Sequence, residues 1–274
     1  MTPCVPTAEG SLRAILADMG SVLVAFSGGV DSCLLLAVAV EVLGTRAAAF
    51  TAASATLVES ERDGAVAGAA ALGARHILAD SHELEREAYR ANAGDRCYHC
   101  KTELFDLARL AAAREGFAWV ADGTIVDDLR EHRPGLAAAS EHQVRHPLVE
   151  AGFDKSMVRE EARRRGLPVW DKPAAPCLGS RFAVGTRVSS ERLARVASME
   201  RTLRGLGFAV VRVRVRDVGG VERASIEVGP SELWRLEDPR LRVQIEEAAE
   251  KLAFKRIFID PAGYRRGSVS MAVP

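Results

Sequence analysis

Between the apolar run SVLVAF, Ser21–Phe26, and the apolar stretch CLLLAVAVEVL, Cys33–Leu43, the chain places SGGVDS, Ser27–Ser32. A strand-like segment must turn there into a helix-like one, and glycines allow a backbone turn that other residues resist. The first amides of a helix have no partner inside it and lie at the positive end of its dipole. An oxyanion is the natural ligand of such a start. The hydroxyls of Ser27 and Ser32 add donors for phosphate oxygens, and the amides around Gly28 and Gly29 complete a cradle. Asp31 suits either a magnesium ion or the ordering of the loop itself. An ordinary glycine-rich turn capped by serine is the bland alternative, and the complete hexapeptide between strand and helix favours the cradle. The Gly-Lys-Ser/Thr ending of a Walker A loop is absent.

The same alternation continues downstream. The pattern predicts strands over Val22–Phe26, Ala47–Thr51, His76–Asp80 and Phe117–Ala121, with helices over Cys33–Leu43, Val58–Leu72, Tyr98–Arg114 and Lys155–Arg165. Strands that alternate with helices imply an α/β fold, a parallel sheet flanked by helices, with ligands at the carboxyl ends of the strands. From about Ser189 the pattern changes to a helix over Ser190–Leu206, the strictly alternating VVRVRVRDV, a Gly-Gly turn, ASIEVG, a helix over Pro239–Leu252 and KRIFID. This reads as a small C-terminal α+β domain, giving an expected division into residues 1–180 and 181–274.

Charge and cysteine usage narrow the function classes. The 274 residues carry 37 basic and 37 acidic side chains, which argues against bulk electrostatic attachment to nucleic acid or anionic membrane. No apolar run reaches about eighteen residues and the start MTPCVPTAEG lacks signal-peptide features, so a cytoplasmic protein with no membrane or nucleic-acid partner is expected. The 5 cysteines are an odd number in a chain this long, which favours reduced thiols over a disulfide framework.

SGGVDS resembles the PP-loop of the ATP pyrophosphatases, a superfamily whose members split ATP between the α and β phosphates and adenylate a carboxylate or carbonyl oxygen. A carboxylate oxygen is a poor leaving group until AMP is attached, so the chemistry suits the motif. ADGTIVDD, Ala121–Asp128, follows the fourth expected strand, and Gly123 and Thr124 resemble the glycine and small polar residue of the second nucleotide loop in these enzymes. Asp127 and Asp128 are candidate metal or ribose partners there. The resemblance implies bound ATP and Mg2+.

WDKPAAPCLGSRF, Trp170–Phe182, presents Cys177 between prolines that keep the segment out of a helix. Lys172 and Arg181 are near enough in sequence to lower a thiol pKa below its usual value of about 8.5. A buried structural cysteine is the bland alternative. This segment, with HPLVEAGFDKSMVREEARRRGLP before it and VRVRVRD, ASIEV and GYRRGSVS after it, resembles the LarE family of ATP-dependent sulfur transferases over nearly the whole chain. The resemblance implies that Cys177 delivers sulfur to a small-molecule nucleotide, pyridinium-3,5-biscarboxylic acid mononucleotide, whose dithiocarboxylate is the precursor of the nickel pincer cofactor of lactate racemase. It further implies that Ser180, Arg181, Arg212 and Arg214 face the substrate, with Asp31 and Arg181 assisting Cys177 in catalysis. Arg212, Arg214 and Arg216 alternate along one expected strand and share a face. A solvated arginine stripe is the bland reading of that face. Glu227 is a further candidate for positioning a metal. Homo-oligomer formation, as a trimer of dimers, follows from the resemblance alone, and the sulfur source is not readable.

RCYHCK places Cys97 and Cys100 at the start of an expected helix, where two thiolates at that spacing can share a metal. One branch of the resembled family carries this pair together with a [4Fe-4S] cluster. Cys97, Cys100 and Cys177 as ligands would leave one iron open for a hydrosulfide and would spare Cys177. Zinc completed by a histidine such as His99 and a redox or core dithiol are the competing readings. Cys33 is expected in the core and Cys4 in a disordered tail, and His76, His82, His132, His142 and His146 show no metal spacing. Two other functions compete with sulfur transfer: a tRNA thiolation or amidotransferase-like synthetase, and a non-catalytic nucleotide or metal module that keeps the fold.

Overall fold

The computed structural model describes residues 7–130 and 133–265. Cys4, His132 and the end of the GYRRGSVS motif lie outside them. The chain forms two units, one of residues 1–83 and 97–175 and the other of residues 84–96 and 176–274.

In chain order the elements of the first unit begin with α1 (Ala8–Met19), β1 (Val22–Ala25), α2 (Val30–Leu43), β2 (Ala47–Ala53), α3 (Glu59–Ala71) and β3 (Arg75–Asp80). After α4 (Glu87–Ala91), which belongs to the second unit, come α5 (Arg96–Glu115), β4 (Trp119–Asp122), α6 (Pro134–Glu141), α7 (Pro147–Glu150) and α8 (Lys155–Arg164). The four strands form one parallel sheet in the order β3-β2-β1-β4.

Strand β1 shows why this sheet has helices on both faces. Val22, Val24 and Phe26 pack into one apolar cluster with Leu12 and Leu16 of α1, Leu34 of α2 and Val158 of α8. Leu23 and Ala25, pointing the other way, pack with Phe105 and Ala108 of α5 and Ala138 of α6. A strand apolar on both faces can be buried only as a central one. Helix α2 is apolar on nearly all sides, from Val30 to Leu43, and lies within the core accordingly. The pattern reading omitted α1, whose Leu12, Leu16 and Met19 form one buried stripe and whose Thr7 side chain accepts the Gly10 amide. It also began the fourth strand two residues early, at Phe117. Gly116 in a left-handed conformation and the Phe117 amide bonded to Ala112 O at 2.9 Å still belong to the end of α5.

The second unit holds α4, α9 (Ser190–Gly205), β5 (Val211–Val218), β6 (Val221–Val228), α10 (Pro239–Lys251) and β7 (Ile257–Ile259). Strands β5 and β6 are antiparallel and joined through Gly219 and Gly220, both at positive φ, as a two-residue hairpin requires. Strand β7 pairs parallel to β6. The segment after Cys177 runs beside β5, with Ala183 N bonded to Val215 O at 3.0 Å. Asn92, just past α4, donates its side-chain amide to the carbonyls of Ala183 at 2.7 Å and Thr186 at 3.0 Å. These bonds attach the early segment to the Cys177 region, within the same unit, although about ninety residues separate them.

No helix among the described residues is long and apolar enough to cross a membrane.

Candidate functional site

In the first unit the SGGVDS loop leaves β1 and enters α2 with Gly29 as N-cap. Gly28 has φ +69°, and a Cβ there would stand 3.0 Å from Ala65 Cα of α3. Both conformation and space therefore demand glycine. Ser32 Oγ accepts the Ser27 amide at 3.3 Å and donates to Gly29 O at 3.1 Å, while Ser27 Oγ accepts the Gly29 amide at 3.3 Å. The two serines thus stitch the loop that the sequence marks as a cradle. The second loop meets it at Gly123, where a Cβ would lie 2.8 Å from Ser32 N. Gly123 and Ser27–Ser32 are brought together as expected, with Thr124 buried behind them.

The charges around the loop include groups that sequence reasoning missed. Lys155, first residue of α8, donates from Nζ to both oxygens of Asp31 at 2.8 and 2.7 Å. Its backbone amide donates to Asp127 Oδ2 at 2.7 Å. Lys172 donates to Glu61 Oε2 at 2.8 Å and to Gly28 O at 3.4 Å. Its ammonium is therefore engaged at the SGGVDS loop, where sequence proximity alone suggested Cys177. Asp128 accepts the Ile125 amide at 3.1 Å and pairs with Arg133 at 2.8 Å. Asp127 and Asp128 thus secure the second loop and the start of α8. The signal for Lys155 was its place at a helix start after Asp154, which caps α8. Nothing in the linear sequence says that this helix begins beside Asp31.

Cys97 is exposed and Cys100 half-buried, one turn apart near the start of α5, and neither is in a disulfide. His99 packs edge-to-face on the Tyr98 ring at 5.3 Å. Cys33 is buried in α2, where burial pushes its thiol up to about 11. Within neither unit do three or more His, Cys, Asp or Glu side chains among the described residues converge as metal ligands.

In the second unit Cys177 is a half-buried free thiol that opens a short 3-10 turn, Leu178–Arg181. Its carbonyl accepts Ser180 N at 3.0 Å, Ser180 Oγ at 2.8 Å and Arg181 Nη1 at 3.1 Å. Arg181 Nη1 also donates to Pro176 O at 2.7 Å. On its other edge Arg181 forms a two-pronged pair with Glu200 of α9, Nε to Oε1 at 2.8 Å and Nη2 to Oε2 at 3.0 Å. Both side chains are fully buried. Burial would raise the Glu200 carboxyl, but the Arg181 hydrogen bond and charge outweigh it and hold the group below the ordinary carboxylate range. Glu200 further accepts the Val213 amide of β5 at 3.1 Å. The guanidinium of Arg181 is thereby committed to holding the Cys177 turn against α9.

Arg214 is buried too, donating to Glu227 at 3.1 Å and to Ser180 O at 3.0 Å. The alternating stripe is therefore no solvated face. Arg212 differs: its Nη1 bonds the adjacent Val211 O at 2.7 Å, its guanidinium lies 5.1 Å from the Tyr264 ring centre, and its buried Nε finds no partner among the described residues. Burial, with the neighbouring Arg181 charge, lowers its pKa from the ordinary arginine value. A guanidinium with donors to spare beside this loop is suited to an anionic ligand.

A glycine-rich anion loop at the carboxyl edge of a parallel sheet, ending in Asp31 rather than the Walker lysine, defines an ATP-using enzyme of the PP-loop class. The asparagine synthase family matches residues 9–123, the segment that contains the cradle and Gly123. Over 266 residues, 96% of this chain and 94% of the other, the sequence is 35% identical to pyridinium-3,5-bisthiocarboxylic acid mononucleotide synthase of Lactiplantibacillus plantarum. It is 38% identical over 260 residues to an uncharacterized protein of Synechocystis, covering 95% and 96% of the two chains. A Methanocaldococcus jannaschii protein is 25% identical over 244 residues, 89% of this chain and 90% of the other. The chain belongs to the LarE family.

Proposed function

We propose that the protein is an ATP-dependent sulfur transferase that converts carboxylates of pyridinium-3,5-biscarboxylic acid mononucleotide into thiocarboxylates. The observation that carries this reading is the Cys177 turn: a free thiol on a loop whose carbonyl is fastened by Arg181, itself locked to Glu200, with Arg212 on the adjoining strand keeping a donor unpaired among the described residues. The name of the L. plantarum relative supports the substrate class.

The chemistry runs in steps that the residues support. The cradle of Ser27–Ser32, with Gly123 and Thr124, would hold the phosphates, and Asp31, paired with Lys155, would hold magnesium, which would offset their charge. Lys155, beside Asp31, is placed to balance phosphate charge as well. A substrate carboxylate oxygen attacks the α phosphate and pyrophosphate leaves, giving an acyl adenylate. Cys177 thiolate attacks the acyl carbon, AMP departs, and a thioester forms. Loss of the Cys177 α proton and cleavage of its Cβ–S bond then release the thiocarboxylate and leave dehydroalanine. Arg212 and Arg214, with Ser180, border the substrate, Arg214 and Arg181 chiefly by shaping the loop.

Cys97 and Cys100 fit a thiolate metal site: neither is in a disulfide, and they stand one turn apart near the start of α5. With Cys177 they would hold a [4Fe-4S] cluster, whose fourth iron would supply a place for inorganic sulfide and so make turnover multiple. Iron and acid-labile sulfide, measured on protein purified without oxygen together with Cys97→Ala and Cys177→Ala, test this. About four irons per chain, lost in both variants, support the cluster. Absence of iron after reconstitution returns Cys177 to the sacrificial role.

A further inference from the structure

The end of β4 and the start of α7 bring together a pair of side chains that the sulfur chemistry leaves unused. Asp122 ends β4 beside Ala25 of β1 and is 6% exposed. Its Oδ1 accepts the Thr124 amide at 3.0 Å and meets His146 Nδ1 at 2.7 Å. Burial would raise the Asp122 carboxyl, but the His146 hydrogen bond and the nearby Lys101 charge outweigh it and bring it down to about 2. Asp122 is therefore a carboxylate, an acceptor only, and Nδ1 must carry a proton. That leaves Nε2 for another partner, on a side chain that keeps 22% of its surface exposed.

The position of the pair restricts what that partner is. Gly123, the next residue, lies so close to the first turn of α2 that a Cβ would stand 2.8 Å from Ser32 N. Asp122 is thus one peptide from the amides that form the anion cradle. A bare buried carboxylate there would repel phosphate, so its charge must be offset locally. Lys101 of α5 and His146 face it, while Glu150 of α7 is occupied by the Arg145 guanidinium at 2.9 Å and the His146 amide at 3.3 Å.

We infer that His146 is a phosphate contact of the nucleotide site, acting as an imidazolium that donates from Nδ1 to Asp122 and from Nε2 to a phosphate oxygen held at the start of α2. The inference rests on the reading that this cradle binds ATP. It does not depend on what is adenylated.

Two isosteric replacements separate ligand contact from structural support. Gln places an amide nitrogen near the Nε2 position, whereas Asn places one near Nδ1, where it can still reach Asp122. Binding of ATP and of inorganic pyrophosphate to the full-length protein, measured by calorimetry with no carboxylate substrate, is the readout. His146→Ala is expected to weaken both about tenfold, as for loss of one hydrogen bond to a charged group, with His146→Gln recovering part of the loss and His146→Asn little. Recovery by Asn and not by Gln would assign His146 a structural role and overturn the inference. Loss confined to ATP with pyrophosphate unaffected, or no loss in either, would do the same. Because no sulfur acceptor is present, failure of the transferase reading leaves this result unchanged; if wild-type protein binds neither probe, the cradle reading and the inference fall together.

Discussion

The two loops of this protein are built by opposite means. The backbone of the Ser27–Ser32 loop is stitched from within, the serine hydroxyls bonding the amides and carbonyl of Ser27 and Gly29, while Lys155 and Lys172 reach it from outside through Asp31 and Gly28 O. The Cys177 turn is held by charge from afar, through Arg181 to Glu200 in α9 and through Arg214 to Ser180. The first arrangement fixes the backbone where β1 turns into α2. The second uses buried ion pairs to fix where one thiol sits. A locally built loop suits a nucleotide, which needs donors in a fixed array, and a remotely braced loop suits a nucleophile, which needs one position.

The largest effect expected from breaking either loop is chemical. Cys177→Ala should abolish sulfur transfer while leaving substrate-dependent pyrophosphate release, because adenylation precedes the thiol step. Thiocarboxylate and pyrophosphate assayed on the same sample check this, and transfer at the native rate would refute the role. Next comes the brace. Glu200→Gln should destabilise the protein by about 3 kcal/mol or more, since it strands the Arg181 charge in the interior. Replacing both partners by leucine should cost less than the single change, as denaturant unfolding would reveal.

Disturbing the local loop should do less to stability and more to nucleotide binding. Gly28→Ala combines a left-handed φ with a Cβ 3.0 Å from Ala65 Cα, so a loss of about 1–3 kcal/mol and weakened ATP binding are expected from melting and calorimetry. The smallest effect is pH-dependent. Asp122 has its carboxyl pulled from 3.8 down to about 2, so its contribution, on the order of 2 kcal/mol, is fully present above pH 4. It is lost as pH falls through 2. The stability gap between wild type and Asp122→Asn should therefore narrow from pH 5 to pH 2 in denaturant titrations.

How much could be read beforehand follows the same division. The parallel sheet and the β5–β6 hairpin were legible because periodicity and glycine turns are properties of neighbouring residues. So was the cradle. Lys155 was not, since nothing in DKSMVRE states which strand end α8 will start beside. The family resemblance named Arg181 and Arg214 as substrate contacts, and what no linear reading could add is that both are buried, Arg181 on Glu200 and Arg214 on Glu227. Asp127 and Asp128 looked like ligands, and nothing local told that they would accept the Lys155 amide at the start of α8 and the Ile125 amide of their own loop. His146 carried no signal at all, because a histidine gains its meaning from the carboxylate it meets.

The sequence by itself determined the layered α/β architecture, the anion-binding turn at Ser27–Ser32 and the presentation of Cys177 from a loop, because each depends on conformational preferences acting over a few residues. The tertiary structure alone decided which charges are spent and which remain available. It pairs Arg181 with Glu200, Lys155 with Asp31 and Asp122 with His146, and it leaves Arg212 Nε without a partner among the described residues. A side chain's charge acts according to distance and burial, and those are set by residues far away along the chain.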